Sequence, residues 1–232
     1  MPFSPRTLDF LFENTLQNSK AWFQEHKDEY QKVVLGPLRE LIVQLSPFMR
    51  SVDDRMITDP KKIVSRIYKD ARYSHDGQIF RNHLWFVFQR EKKAYFGLPG
   101  FYFDISPSGF SYGCGYYLAS SASMEQYRKM IVNRDRMFEK MREDFSKQSV
   151  FALGGDRYKR SKYPEQPEEY RNYLDRKSVY ADCESRDFEL LFSEHLADQL
   201  VEDFEKLRSF YEFLMLVEAQ KPREEATQRF DF

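Results

Sequence analysis

Residues 83–118 read HLWFVFQREKKAYFGLPGFYFDISPSGFSYGCGYYL, and the fold turns on this stretch. Leu84, Phe86 and Phe88 alternate with Trp85 and Val87, and Phe101, Phe103 and Ile105 alternate with Tyr102 and Asp104. Alternation at period two marks a strand, because successive Cβ atoms leave opposite faces of the pleat. A run at Tyr95–Leu98 and a last one over Phe110–Leu118 complete the set. Pro99-Gly100 and Ser106-Pro107-Ser108-Gly109 supply turns between the runs. The pattern predicts an antiparallel β-meander over about residues 83–118. Aromatic residues fall on both of its faces, so helices should cover at least one.

Outward from the meander the period changes to that of helices. On the N-terminal side Ser4 suits a helix cap and Pro5 a first helical position, ahead of Leu8, Leu11, Phe12 and Leu16. A second helix should start at Asn18 or Ser19 and bury Trp22, Phe23, His26, Tyr30 and Val33. Gly36-Pro37 should break it before a third helix carrying Leu38, Leu41, Ile42, Leu45 and Phe48. On the C-terminal side one long helix is expected from about Ala122 to Phe145, with Tyr127, Met130, Ile131, Arg134, Phe138, Met141 and Phe145 as its stripe. Residues 150–184 are the least regular. A final helix is expected from Ser185 or Ser193 to about Glu218, with Leu196, Leu200, Phe204, Leu207, Tyr211 and Leu214 inward. Beyond Lys221-Pro222 the charged tail should fray. Helices, then a sheet, then helices read as α+β, a single domain over residues 1–232 with the meander packed against N-terminal and C-terminal helices.

Composition excludes several classes. The 232 residues carry a formal net charge of −1, which rules out a globally basic nucleic-acid binder and an acidic disordered chain. With 22 Phe, 15 Tyr and 2 Trp but only 9 Gly, the chain has material for a large core and no low-complexity character. Apolar runs fall far short of the roughly 20 residues that span a bilayer. The N-terminus lacks a basic stretch followed by an apolar one, and there are two cysteines, Cys114 and Cys183. A cytoplasmic protein with two reduced thiols and no membrane partner is expected. No Walker loop or G-x-S-x-G elbow occurs, and Gly113-Cys114-Gly115 lacks the third glycine of a dinucleotide fingerprint. His26, His75, His83 and His195 have neither i, i+4 spacing nor neighbouring cysteines. Neither a cofactor nor a metal is expected.

Chemistry concentrates between Arg66 and Asp76, where Arg66, Lys69, Arg72, Asp70, Asp76, Tyr68 and Tyr73 fall within eleven residues. If the segment is extended, period two places Arg66, Tyr68, Asp70 and Arg72 on one face, with Asp70 between two guanidiniums. Ile63, Val64, Ile67 and Tyr68 favour that form. Asp59-Pro60 could instead open a helix that pairs Arg66 with Asp70 at i, i+4. Arginine forks bind phosphate and carboxylate in a bidentate manner. The surrounding segment 61–93 has nine basic and three acidic residues, whereas 182–232 has six basic and fourteen acidic. The favoured reading is therefore an anion-binding domain, for a phosphorylated small molecule or a nucleic-acid end, centred on Arg66, Lys69 and Arg72. An enzyme acting on such a ligand, with Asp70 or Asp76 as base or metal ligand, is the alternative. A third reading makes the segment an ion-pair brace between helices and sheet. A second basic run, Arg157-Tyr158-Lys159-Arg160-Ser161-Lys162, follows Gly154-Gly155, and tyrosine among cations suits a base beside its phosphate.

The stretch Arg66-x-x-Lys69-Asp70-x-Arg72-Tyr73-Ser74-x-Asp76 resembles the signature of an uncharacterised, mainly bacterial family, DUF2461: R-x-x-R-D-x-R-F, then a D-K pair and a P-Y-K-type stretch. Asn18-Ser19-Lys20-Ala21-Trp22-Phe23 resembles the family's N-N-x-x-W-F opening. Phe101-Tyr102-Phe103-Asp104-Ile105 with Gly113-Cys114-Gly115 resembles its Y-Y-x-x-I…G-x-G segment. Here Lys69 replaces an arginine, Tyr73 a phenylalanine and Gly77 a lysine, while Phe80-Arg81 stand where Tyr-Lys is usual. The resemblance implies a bacterial cytoplasmic protein of about this length and adds Tyr73 and Arg81 to the ligand-binding set. It implies no activity.

Overall fold

The structure, a computed structural model, describes residues 2–70, 72, 77–91 and 97–222. The meander is present as β1 (Leu84–Phe88), β2 (Gly100–Ser106) and β3 (Gly109–Gly115), with Leu84 opposite Ile105 and Phe101 opposite Cys114. It ends at Gly115 rather than Leu118, and Gly100 opens β2 instead of closing a turn. Tyr95 and Phe96 lie outside the described residues. Two further strands, β4 (Ala152–Gly154) and β5 (Tyr180–Ser185), come from the stretch read as irregular. The all-antiparallel sheet has the order β1-β2-β3-β5-β4. β5 escapes a hydrophobicity reading because its inward residues, Ala181 and Cys183, are small.

Helix boundaries depart from the expected ones where side-chain period says nothing about backbone breaks. α1 (Pro5–Gln17) starts as expected at Ser4 and Pro5. α2 (Lys20–Glu25), capped by Ser19, and α3 (Lys27–Tyr30) follow. The expected break at Gly36-Pro37 is absent, because a π turn over Gln31–Leu35 leads straight into α4 (Gly36–Val52). In that turn Gly36 N–H donates to the Gln31 carbonyl five residues back. The wider turn accommodates Pro37, which has no N–H and would crowd the carbonyl four residues before it. After the short α5 (Pro60–Ile63), capped by Asp59, the chain enters the sheet.

The long helix expected over 122–145 is two, α6 (Ser121–Val132) and α7 (Arg136–Ser146). Arg134 turns left-handed (φ 55°) and leaves the stripe, and Asp135 caps α7 by accepting from Met137 N–H at 2.8 Å. The last helix is likewise divided. Beyond α8 (Glu168–Leu174) and β5 come α9 (Phe188–Leu191), α10 (Leu196–Glu205) and α11 (Arg208–Gln220). The predicted stripe from Leu196 to Leu214 is nevertheless buried throughout.

These helices cover one face of the sheet. Leu84, Phe86, Phe88, Phe101, Phe103, Ile105, Tyr112 and Cys114 are buried there. Phe103 stacks on Phe3, Phe86 and Phe110, while Phe101 meets Phe204 and Tyr211. Buried carboxylates pin helices to this layer, each shared between a tyrosine and a cation. Asp53 accepts from Tyr211 and Arg90, Asp203 from Tyr112 and Lys206, and Glu218 from Tyr116 while paired with Lys221. Both thiols are free, and no helix among the described residues is long and apolar enough to cross a membrane.

Candidate functional site

The chain leading into the signature segment runs beside β1, and the segment's described start, residues 66–70, is extended. Val64 bridges Phe86, Ser65 N–H donates to the Trp85 carbonyl at 2.8 Å, and Tyr68 bridges Phe80. Lys69 N–H donates to Ile79 O at 2.9 Å and Arg81 N–H to Ile67 O at 2.8 Å, so residues 67–69 and 79–81 hold each other. The N-terminal helices secure the same place through Asn18 and Phe23. Asn18, left-handed at φ 44°, accepts from Ile79 N–H at 2.7 Å and donates to Gly77 O at 3.0 Å. Phe23 packs on Tyr68 and Phe80. Two motifs far apart in sequence thus form one structural unit.

The candidate residues separate within this frame. Asp70 and Arg72 form a bidentate pair, with Nε to Oδ1 at 3.0 Å and Nη2 to Oδ2 at 2.6 Å. The Arg72 side-chain and backbone hydrogen bonds, with help from Arg66, hold the Asp70 carboxyl down at about 2. Arg66 is exposed. This ion pair spans two residues at the surface and is therefore a local feature. Tyr73 and Asp76 lie outside the described residues. Arg81 is carried elsewhere: its guanidinium lies over the Trp85 ring, 4.8 Å from the centroid, in a cleft on the face of the sheet that no described helix covers.

That cleft has a volume of about 560 Å³. The strand register explains it. Three rows cross the open face: Trp85, Asp104, Ser111 and Glu184; Val87, Tyr102, Gly113 and Asp182; Gly100, Gly115, Tyr180 and Gly154. β3 presents only Ser111, Gly113 and Gly115 between larger neighbours, which makes a trough. With no side chain at Gly113, Tyr102 reaches across the bare strand and its hydroxyl donates to Asp182 Oδ1. Cross-strand aromatic cover over glycine is a known stabilising device.

Two pairs give the cleft its chemistry. His83 Nδ1 meets Asp104 Oδ2 at 2.6 Å, and the imidazole stacks on Trp85. Burial raises the Asp182 carboxyl above its ordinary 3.8; the Tyr102 hydrogen bond opposes this, and the nearby Glu184 and Asp104 charges add to it. Burial and the Asp182 carboxylate push the Tyr102 phenol far above its usual range. The Arg81 Nε is buried and bonds to no protein atom among the described residues. Sequence reading did not single out Trp85, Tyr102, Asp104 or Asp182 as a site. For the first three the signal was available, since the alternation already set them apart from the apolar face. For Asp182 there was none, because β5 was not legible.

No curated protein matches the chain. A family profile described as conserved hypothetical protein (DUF2461) matches residues 6–213. The matched span takes in the Asn18–Phe23 segment, the strip it clamps, the Gly113–Gly115 trough and the first half of α11. By a match that runs nearly from end to end, the chain belongs to the DUF2461 family.

Proposed function

We propose that this chain is a cytoplasmic bacterial protein that binds a small organic molecule bearing a phosphate or carboxylate, seated in the trough of the open sheet face. The observation that carries the reading is Arg81. Its guanidinium is held against Trp85 beside the cleft, and its Nε has no protein partner among the described residues. The guanidinium lines the cleft, where an anionic ligand would meet it with a charge-assisted bond. The cleft volume falls within the roughly 300–1,000 Å³ of small-molecule sites, and Trp85, Tyr102 and Tyr180 offer it aromatic surface. Arg66 and Lys69 lie along the strip whose backbone fixes Arg81, and their charge, with that of Arg72, attracts an anion to that edge.

The test is a thermal-shift screen of aryl phosphates and aryl carboxylates on wild type and Arg81→Met, which keeps the apolar stem. A ligand present at 100 times its Kd stabilises the native state by about 2.7 kcal/mol. Compounds that shift wild type but not the variant support the site. Equal shifts in both, or none in wild type, overturn it.

A second reading, catalysis in the same cleft, is favoured by the His83–Asp104 pair. A carboxylate on Nδ1 orients an imidazole so that Nε2 can accept a proton. Asp70, held at about 2 by Arg72, is a weak base at neutral pH, so proton transfer falls more naturally to His83. If His83→Asn retains ligand binding while turnover of the bound compound stops, the catalytic reading gains; turnover unchanged in the variant removes it.

A further inference from the structure

A second cleft, of about 590 Å³, lies beside α6. One wall is the face of α6 carrying Met124, Arg128 and Val132; the opposite wall holds Tyr158 of the second basic run and Tyr163 just after it. Such runs are commonly loose, solvated loops, but this one is built. Tyr158 N–H donates to Asp175 O at 2.9 Å. The buried Asp175 carboxylate accepts from Ser161 Oγ and from Lys162 N–H, both at 3.1 Å. Arg176 Nη1 donates to Gly155 O at 2.8 Å, and Lys177 N–H to Asp156 O at 2.7 Å. Arg128 spends its guanidinium on the Met124, Leu174 and Arg176 carbonyls and on the Tyr158 hydroxyl, which fixes that tyrosine.

The cations on this frame make no ion pairs among the described residues. Asp175 faces inward, holding backbone. Lys129, Arg157, Lys159, Arg160, Lys162 and Lys177 are all exposed, and none has a carboxylate within 4.0 Å among the described residues. Lys162 instead places its ammonium over the Tyr158 ring, 4.1 Å from the centroid. Glu125 is the one carboxylate among the described residues that line the cleft. Arg176 is pushed below its ordinary pKa by burial and by the neighbouring Arg157 charge, as expected where positive charge accumulates.

We propose that this second cleft binds a nucleoside phosphate, the base against Met124, Val132 and Tyr163 and the phosphate on Lys129 and Lys177. Apolar and aromatic lining beside clustered ammonium groups suits a flat ring carrying a charged group, and lysine meets phosphate as a point charge. A free nucleotide and the terminal nucleotide of a nucleic acid present the same chemistry here.

The experiment titrates full-length protein, at low and at physiological salt, with adenosine monophosphate, with a fluorescein-labelled single-stranded decamer and with inorganic phosphate. It is repeated on Lys129→Ala/Lys177→Ala and on Arg81→Met. Exposed lysines leave the fold intact, and circular dichroism of the double variant checks it. We expect binding that weakens with salt, falls roughly tenfold or more in the double variant, and is unchanged in Arg81→Met, which separates this site from the open-face cleft. Saturation by the mononucleotide alone assigns a free nucleotide; binding of the decamer at far lower concentration assigns a nucleic-acid end. Inorganic phosphate binding as tightly as the mononucleotide overturns the nucleoside assignment. No binding, or an unaffected double variant, overturns the site.

Discussion

Asp182 owes its character to what its neighbours lack. The other tyrosine-bonded carboxylates described here, Asp53, Asp203, Glu218 and Glu139, each also meet a cation: Arg90, Lys206, Lys221 and Arg142. Asp182 has Tyr102 and, among the described residues, no cation, and it faces a cleft. Burial is the leading reason its carboxyl is raised, and the Tyr102 hydrogen bond is what holds it back. Tyr102→Phe removes the restraint, so the Asp182 pKa should climb further above 3.8, read by carbon NMR of the side-chain carboxyl. A downward or absent shift would refute the assigned cause. Asn18 allows a second single-residue test. Asn18→Ala loses both bonds to 77–79 and keeps a left-handed backbone, and should cost about 1–2 kcal/mol in urea unfolding. Asn18→Gly relieves the backbone but not the clamp, so a full recovery in that variant would show that conformation alone mattered.

β3 is the element on which the open face depends. Its outward positions are small, and Gly113 sits between Tyr102 and Asp182 in one row of the sheet. A methyl at Gly113 would collide with the Ala181 carbonyl oxygen and lie 2.9 Å from the Tyr102 hydroxyl. Gly113→Ala should therefore loosen the β3–β5 pairing and displace Tyr102 from Asp182. The expected cost is about 1–3 kcal/mol, as for overpacking elsewhere. Hydrogen exchange locates the effect: amides of β5 should lose protection before those of β1. Uniform loss across the sheet, or none, would contradict this account.

The whole molecule is tied together at Asp53. This residue follows α4, Arg90 follows β1, and Tyr211 lies on α11, so one buried carboxylate joins the N-terminal helices, the sheet and the C-terminal helices. Arg90 Nε donates to it at 2.6 Å and the Tyr211 hydroxyl at 2.5 Å. Burial alone would raise the carboxyl, but these two hydrogen bonds, the Arg55 N–H and the Arg90 charge together outweigh burial and bring it below 3.8. A carboxylate with a depressed native pKa stabilises the fold fully above its unfolded pKa, and that contribution fades as pH falls through the lower native value. Acid should therefore weaken the fold below about pH 4. Asp53→Asn should flatten that limb of the stability curve while lowering the plateau by about 1.5–3 kcal/mol, the worth of hydrogen bonds to a charged group. An unchanged acid limb in the variant would place the acid sensitivity elsewhere.

The α+β class, the three-strand meander, the cap at Ser4 and Pro5, and the buried stripe from Leu196 to Leu214 were legible in the chain. Each rests on local period or on the chemistry of one or two residues, and both are written along the sequence. The breaks at Arg134 and Leu207 were not, since a helix can change direction without disturbing its apolar phase. Nor was the uninterrupted passage through Gly36-Pro37, because periodicity does not register a π turn. Spacing left the signature segment open between an extended form and a helix opened by Asp59-Pro60: the helix forms over Pro60–Ile63 and residues 64–70 are extended, but where the cations would point was not decided by spacing. Arg81 enters the cleft because β1 and residues 67–69 hold its backbone, and Tyr102 meets Asp182 because strand register places a glycine between them. Those meetings join residues 14 to 80 positions apart, and only the packed sheet brings them together.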